Sequence, residues 1–208
     1  MALSTWLAFF AASWVISFSP GPGAISSMSS GLKYGFRRGY WMAIGLNIGI
    51  MIQVLIISLG LGQVLARSEL AFNIIKWLGA AYLIYLGWKQ LRTDAMPVEV
   101  AGQEPSDFRI RDLLLRGCLI NITNPKGTVF LLAIMPQFLD LGRPLPLQYL
   151  LIALTLCFTD LVAMGCYTSL AARMLRMLRQ ARHIRLLNRV FGSLFILAGT
   201  VLAGVSRH

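Results

Sequence analysis

What most constrains this chain is a series of six apolar blocks, each close to the length that crosses a lipid bilayer. They run at about residues 3–29, 40–65, 71–91, 113–138, 147–171 and 187–205. An α-helix rises ~1.5 Å per residue, so about 20 residues cross ~30 Å of hydrocarbon. Membrane barrels instead use strands of about ten residues that alternate apolar and polar, and these blocks do not alternate. The expectation is an all-α integral membrane protein with six transmembrane helices. Only 13% of the 208 residues are charged, against about 25% in a soluble globular domain. "MALSTWLAFFAASW" has no basic stretch before its apolar run, so it reads as the first span rather than a cleaved signal peptide.

The net charge of +11 raises nucleic acid as a partner, and its placement argues against one. Lys33, Arg37 and Arg38 lie in the first loop, and Lys89, Arg92, Arg109, Arg111 and Arg116 in the third. Arg173, Arg176, Arg179, Arg182, Arg185 and Arg189 lie in the fifth. The other side holds only Arg67, Lys76, Arg143 and Arg207. Basic residues gather on the cytoplasmic side of membrane proteins. Loops 1, 3 and 5 are thus expected in the cytoplasm and both termini outside, unless the first block dips in and returns. "RMLRMLRQARHIRLLNR" spaces its arginines every three or four residues. That suits either an amphipathic helix on anionic lipid or a solvated connector. His183 within it reads as part of the solvated basic face, since no second metal ligand stands near.

"TDAMPVEVAGQEPSDFRI" has two prolines and four acids and reads as a linker, at about 92–112. It divides one transporter domain into repeats at about 1–91 and 113–208. Three spans on each side is an odd number, so two similar halves would insert with opposite topology, as inverted repeats.

Each half breaks its own first span. The first block is interrupted at Ser19-Pro20-Gly21-Pro22-Gly23 and the fourth at Asn124-Pro125-Lys126-Gly127, so helices 1 and 4 are expected broken. Ser19 lies fourteen residues before Lys33, and Pro125 nine after Arg116, so both breaks fall well inside the membrane. Proline removes a backbone N–H, clashes with the preceding turn and displaces its predecessor from helical geometry. The freed groups cannot face lipid; they find protein partners or line a wet cavity. Half-helix N-termini attract a carboxylate and freed carbonyls attract an ammonium, which together suit an amino-acid zwitterion. One such break is an ordinary kink. Two at matched positions point to a substrate site.

Asp160 and Lys126 are charges within spans, at ~20 Å and ~15 Å from the basic end at helical rise. A charge at mid-depth costs at least ~2.5–3.5 kcal/mol and is seldom idle. Asp160 is the candidate proton carrier. Lys126 is a candidate partner for it or for a substrate carboxylate; the plainer alternative is a structural ion pair. Asn47 and Gln53 add polar groups to the second block, with Asn47 facing the cavity or bridging helices. Gly45 and Gly49 form a G-x-x-x-G that favours close packing within one chain. Trp88 beside the basic end reads as an interfacial anchor. Cys118, Cys157 and Cys166 form no C-x-x-C pair and read as packing residues. No hydrolase, zincin or P-loop motif is present. With two histidines, a metal site would lack imidazoles.

"SFSPGPGAISSM", "AIGLNIGI", "KWLGAAYLIYLGWKQLR", "NITNPKGTVFLLAIMPQF" and "LNRVFGSLFILAGTVLA", in that order, resemble the lysine-exporter (LysE/RhtB) superfamily over all but the third loop. Within it the likeness is greatest to homoserine and homoserine lactone exporters. The resemblance implies six spans in a bacterial inner membrane and proton-driven efflux of amino acids or their derivatives. It puts the family's motifs on Ser19 to Gly23 and on Asn124 to Lys126, and its fifth-span aspartate on Asp160.

The sequence therefore predicts a secondary exporter of small neutral amino acids, not an enzyme. Ser19, Pro20, Gly21, Pro22, Gly23, Asn47, Asn124, Pro125 and Lys126 are its substrate-binding candidates, and Asp160 with Lys126 its proton-coupling pair. Its expected partners are the amino acid, protons, membrane lipids and, in a homo-oligomer, a second copy of itself. No nucleic acid, cofactor or metal is expected. The competing readings are a metal or ion permease or channel, which would need carboxylate rings or His/Cys clusters, and a non-transporting membrane scaffold or enzyme.

Overall fold

A computed structural model describes residues 1–67, 69–92, 108–171 and 181–204. The regular structure of these residues is helical. α1 spans Leu3–Phe18, α2 Pro22–Gly39, α3 Trp41–Arg67 and α4 Glu69–Arg92. α5 spans Ile110–Ile122, and α6 spans Pro125–Ile134 and ends in a 3₁₀ turn, Met135–Phe138. α7 spans Leu145–Ser169 and α8 Ala181–Gly204. Most of the expected linker at 92–112, and Arg173, Arg176, Arg179 and Arg207, lie outside the described residues.

The two anticipated breaks are present. α1 and α2 meet at 58°, α5 and α6 at 55°. Each second helix starts on a proline, Pro22 or Pro125, where the missing N–H would have had no helical partner. α2 runs ten residues past the expected end of the first block. The sequence there is polar, "GLKYGFRRG", but Gly31 lies against the Thr168 backbone of α7, where a Cβ would come within 3.0 Å of Thr168 Cα. Tertiary contact thus sustains a helix that hydropathy would end. α2 kinks at Gly35, whose φ of 73° is the left-handed region that glycine enters freely.

α7, and α3 over Trp41–Gly60, are each long and apolar enough to cross a bilayer, and the two bent pairs raise that number to four. α4 and α8 have 24 residues each. Their apolar runs are shortened by Glu69, Lys76, Lys89 and Arg92 in α4 and by Arg182, Arg185 and Arg189 in α8. The outer surface suits lipid: Leu55, Ile56, Leu59, Leu70, Trp77, Leu78 and Leu147 are all more than half exposed. So broad an apolar exterior is untenable in water.

α1 and α2 pack against α7, α5 lies along α3, and α4 pairs with α8. The closest crossings use glycine. A Cβ on Gly49 of α3 would lie 2.8 Å from Asn121 Cβ on α5, and one on Gly117 of α5 would lie 2.8 Å from Leu46 N. The G-x-x-x-G of α3 therefore packs within the chain. A Cβ on Gly192 of α8 would lie 2.8 Å from Gly87 O on α4. Cys118, Cys157 and Cys166 are free thiols, half-buried among the helices.

The core divides into two apolar clusters. One gathers Phe9, Ile50, Val54, Phe130, Leu131, Ile152, Leu156 and Phe195. The other gathers Ala24, Met28, Met42, Leu46, Leu113, Met164 and Tyr167. Members of both line a single cavity, which therefore lies at their seam.

Candidate functional site

That cavity has a volume of about 80 Å³ and is walled by both breaks, by the middle of α3 and by α7. Ser19, Gly21 and Gly23 enter it from the first break, and Asn124, Lys126 and Gly127 from the second. Gln53 comes from α3 and Asp160 from α7.

Backbone polar groups cannot be left bare in an apolar interior, so each break must find partners for what it frees. At the first break, Phe18 O accepts from Tyr167 OH at 2.7 Å. Ser19 O accepts from Lys126 Nζ at 3.1 Å, and the same ammonium donates to Ser19 Oγ at 2.6 Å. α2 starts after Gly21 with no side chain capping it. At the second break, Gln53 Nε2 donates to Asn121 O at 2.9 Å and to Ile122 O at 3.5 Å. Asn124 Oδ1 caps α6 by accepting from Lys126 N at 3.1 Å, and Asn121 Nδ2 reaches Leu46 O on α3 at 2.7 Å. The freed carbonyls of each break thus accept from side chains of the opposite half of the chain, while the second break also caps its own helix.

The two ionisable side chains of the site, Lys126 and Asp160, are half-buried and line the cavity without meeting each other. The Lys126 ammonium bonds to Ser19 and stands 5.3 Å from the centre of the Phe195 ring, where cation–π attraction favours it. Asp160 Oδ2 accepts from Asn47 Nδ2 at 3.0 Å, and that amide also donates to Ala43 O at 3.1 Å. Among the described residues no ion pair joins Lys126 to Asp160. The structural ion pair weighed from sequence is therefore absent: the Lys126 stem directs its charge across to the first break instead. The Arg143–Asp140 pair at 3.0 Å is exposed and contributes little.

Of the residues singled out from sequence, Ser19, Gly21, Gly23, Asn124, Lys126 and Asp160 line the cavity. Pro20, Pro22 and Pro125 shape the breaks without being part of its wall, and Asn47 stands behind Asp160 as its hydrogen-bond donor. Gln53, Asn121 and Gly127 are among the lining residues that the sequence did not assign to the site, beside Ser17 and an apolar remainder such as Leu46, Ile50 and Phe130. The only signal available for the first three was an amide within an apolar block, or proximity to the N-P-K triplet. Ser17 and Thr159 add a buried hydroxyl pair at 3.1 Å between α1 and α7. No group of three or more His, Cys, Asp or Glu side chains that could hold a metal occurs among the described residues.

The family model of the LysE type translocator matches residues 14–205. A homoserine/homoserine lactone efflux protein of Salmonella typhimurium is 39% identical over 209 residues, covering 100% of both chains. An uncharacterized membrane protein of Vibrio cholerae is 39% identical over 203 residues, 98% of each chain. A leucine efflux protein of an Enterobacter species is 28% identical over 199 residues, 93% of this chain and 92% of its own. No solved structure matches the chain.

Proposed function

The chain belongs to the LysE type translocator family, a family of transporters rather than enzymes, and on that premise we propose that it exports small neutral amino acids or their derivatives by exchange with protons. Homoserine and threonine, both zwitterions, are the foremost candidates. The proposed setting is the bacterial inner membrane, with six spans in two inverted three-helix repeats and loops 1, 3 and 5 in the cytoplasm.

One observation carries this reading: a cation and an anion open onto one cavity without neutralising each other. A cavity that holds both charges apart is complementary to a zwitterion. The substrate carboxylate fits between the Lys126 ammonium and the uncapped N-terminus of α2, where the helix dipole adds positive partial charge. A Cβ on Gly21 would lie 3.8 Å from Lys126 Nζ, so the two features border one space. The substrate ammonium fits Asp160, the one acid lining the cavity.

Asp160 then serves as both ammonium site and proton carrier. A carboxylate releases its ammonium when it takes a proton and regains one when it gives the proton up, so one side chain couples the two fluxes. The clusters on either side of the cavity are suited to act as alternating gates. Efflux of radiolabelled homoserine from loaded proteoliposomes under an imposed proton gradient tests this. Asp160→Asn is expected to abolish gradient-driven efflux while still allowing reconstitution. Wild-type efflux from that variant would remove Asp160 from the coupling role.

A further inference from the structure

Resting on the reading above, we propose that Gln53 is a specificity-determining residue whose side-chain oxygen, beside the methyl-sized room left by Gly127, receives the hydroxyl of a hydroxylated amino acid.

Its neighbours fix the orientation of the Gln53 amide. Gln53 is only 5% exposed. Its Nε2 faces acceptors: Asn121 O at 2.9 Å, and Thr128 Oγ1 at 2.7 Å. Thr128 donates its own hydroxyl proton to Asn124 O at 3.1 Å, so towards Gln53 it can only accept. Turning the amide over would set oxygen against oxygen. The nitrogen is therefore fixed, and with it the oxygen. Oε1 is buried without any hydrogen-bond partner, which is rare in a folded interior and calls for a donor from outside the protein.

The surroundings say where such a donor would enter. Gln53 and Gly127 both line the cavity. A Cβ on Gly127 would lie 3.7 Å from Gln53 Oε1, 3.6 Å from Asn121 Oδ1 and 4.0 Å from Asn124 Nδ2. The missing side chain of Gly127 thus leaves a small gap edged by amide atoms, beside Lys126. With the substrate carboxylate at Lys126 and its ammonium at Asp160, the group left to meet Oε1 is the substrate side chain. It must donate a hydrogen bond and be small, which describes a hydroxyl. A site built to bond a hydroxyl rejects the analogue without one, because its own acceptor then stays unpaired.

The test is a ratio. 2-Aminobutyrate has the carbon skeleton of homoserine and of threonine without the hydroxyl. Efflux of L-homoserine and L-2-aminobutyrate is measured in one proteoliposome preparation, so protein amount cancels. The wild-type chain is expected to favour homoserine by about tenfold or more, the penalty of one unpaired buried acceptor. Gln53→Met removes the acceptor and is expected to bring the ratio near one. Because that change also strips Nε2 from the second break, Gly127→Ala provides a second path. Its methyl meets only ordinary contacts, leaves every Gln53 bond in place and fills the gap, so it too should bring the ratio near one. An unchanged ratio in Gly127→Ala, or equal loss of both amino acids in both variants, overturns the proposal. A wild-type chain that exports the two equally overturns it while leaving the transport reading intact. A wild-type chain that exports neither overturns both.

Discussion

The two breaks bend the chain by nearly the same angle, 58° and 55°, with opposite chemistry. The first is built from proline and glycine. It caps nothing with its own side chains and presents the Phe18 and Ser19 carbonyls, which other helices must satisfy. The second is built around asparagine and lysine. It caps its own helix through Asn124 and sends a charged donor across to the first. One break supplies acceptors and the other a cation. Equal geometry made from unequal chemistry gives the cavity an electrical direction that two identical kinks would not have.

The strongest test of that difference removes the cation. Lys126→Met keeps much of the stem and deletes the ammonium. Losing a desolvated, hydrogen-bonded charge at a binding surface costs about 2–5 kcal/mol, so homoserine efflux should fall roughly 30-fold or more. Efflux within about threefold of wild type would mean that the second break's charge does not hold substrate.

Next in size is the satisfaction of the freed carbonyls, read as thermal stability in detergent. Gln53→Met leaves Asn121 O and Ile122 O without their side-chain donor, at about 1–3 kcal/mol for each buried group left unpaired. Tyr167→Phe removes only the partner of Phe18 O and should lower the midpoint by less. A larger loss in Tyr167→Phe would reverse the ranking and make the first break the more dependent one.

The smallest effects concern the caps, and their signs differ. Asn124→Ala removes a side-chain cap and should cost about 1 kcal/mol. Gly21→Ser supplies a cap where none exists and should gain a few tenths of a kcal/mol. Equal responses at the two positions would show that the breaks differ less in capping than the geometry indicates.

Much of this was readable in advance, and the reason is that lipid enforces simple rules. Prolines within apolar blocks had to break helices, and charges such as Asp160 and Lys126 within apolar blocks had to face something other than hydrocarbon. The partners were another matter. Ser19 and Lys126 are 107 residues apart in sequence, and nothing local says that one will bond the other rather than Asp160 bond Lys126. Tyr167 and Gln53 look like ordinary residues of apolar helices until the carbonyls they satisfy are placed beside them. The polar end of α2 was invisible for a similar reason: what maintains it is close contact with α7, which no property of its own sequence announces.

The exchange of walls between the halves has a further consequence. α1 and α2 lean on α7, α5 on α3, and α4 on α8, so much of the interior of each half is walled by the other. A chain severed between residues 92 and 108 would give two fragments whose break carbonyls at Phe18, Ser19 and Asn121 find those side-chain donors only in each other. A chimera that joined the front of this protein to the back of a relative would have to match at these helix seams, at the lysine–carbonyl contact and at the Tyr167 and Gln53 bonds to the opposite break together.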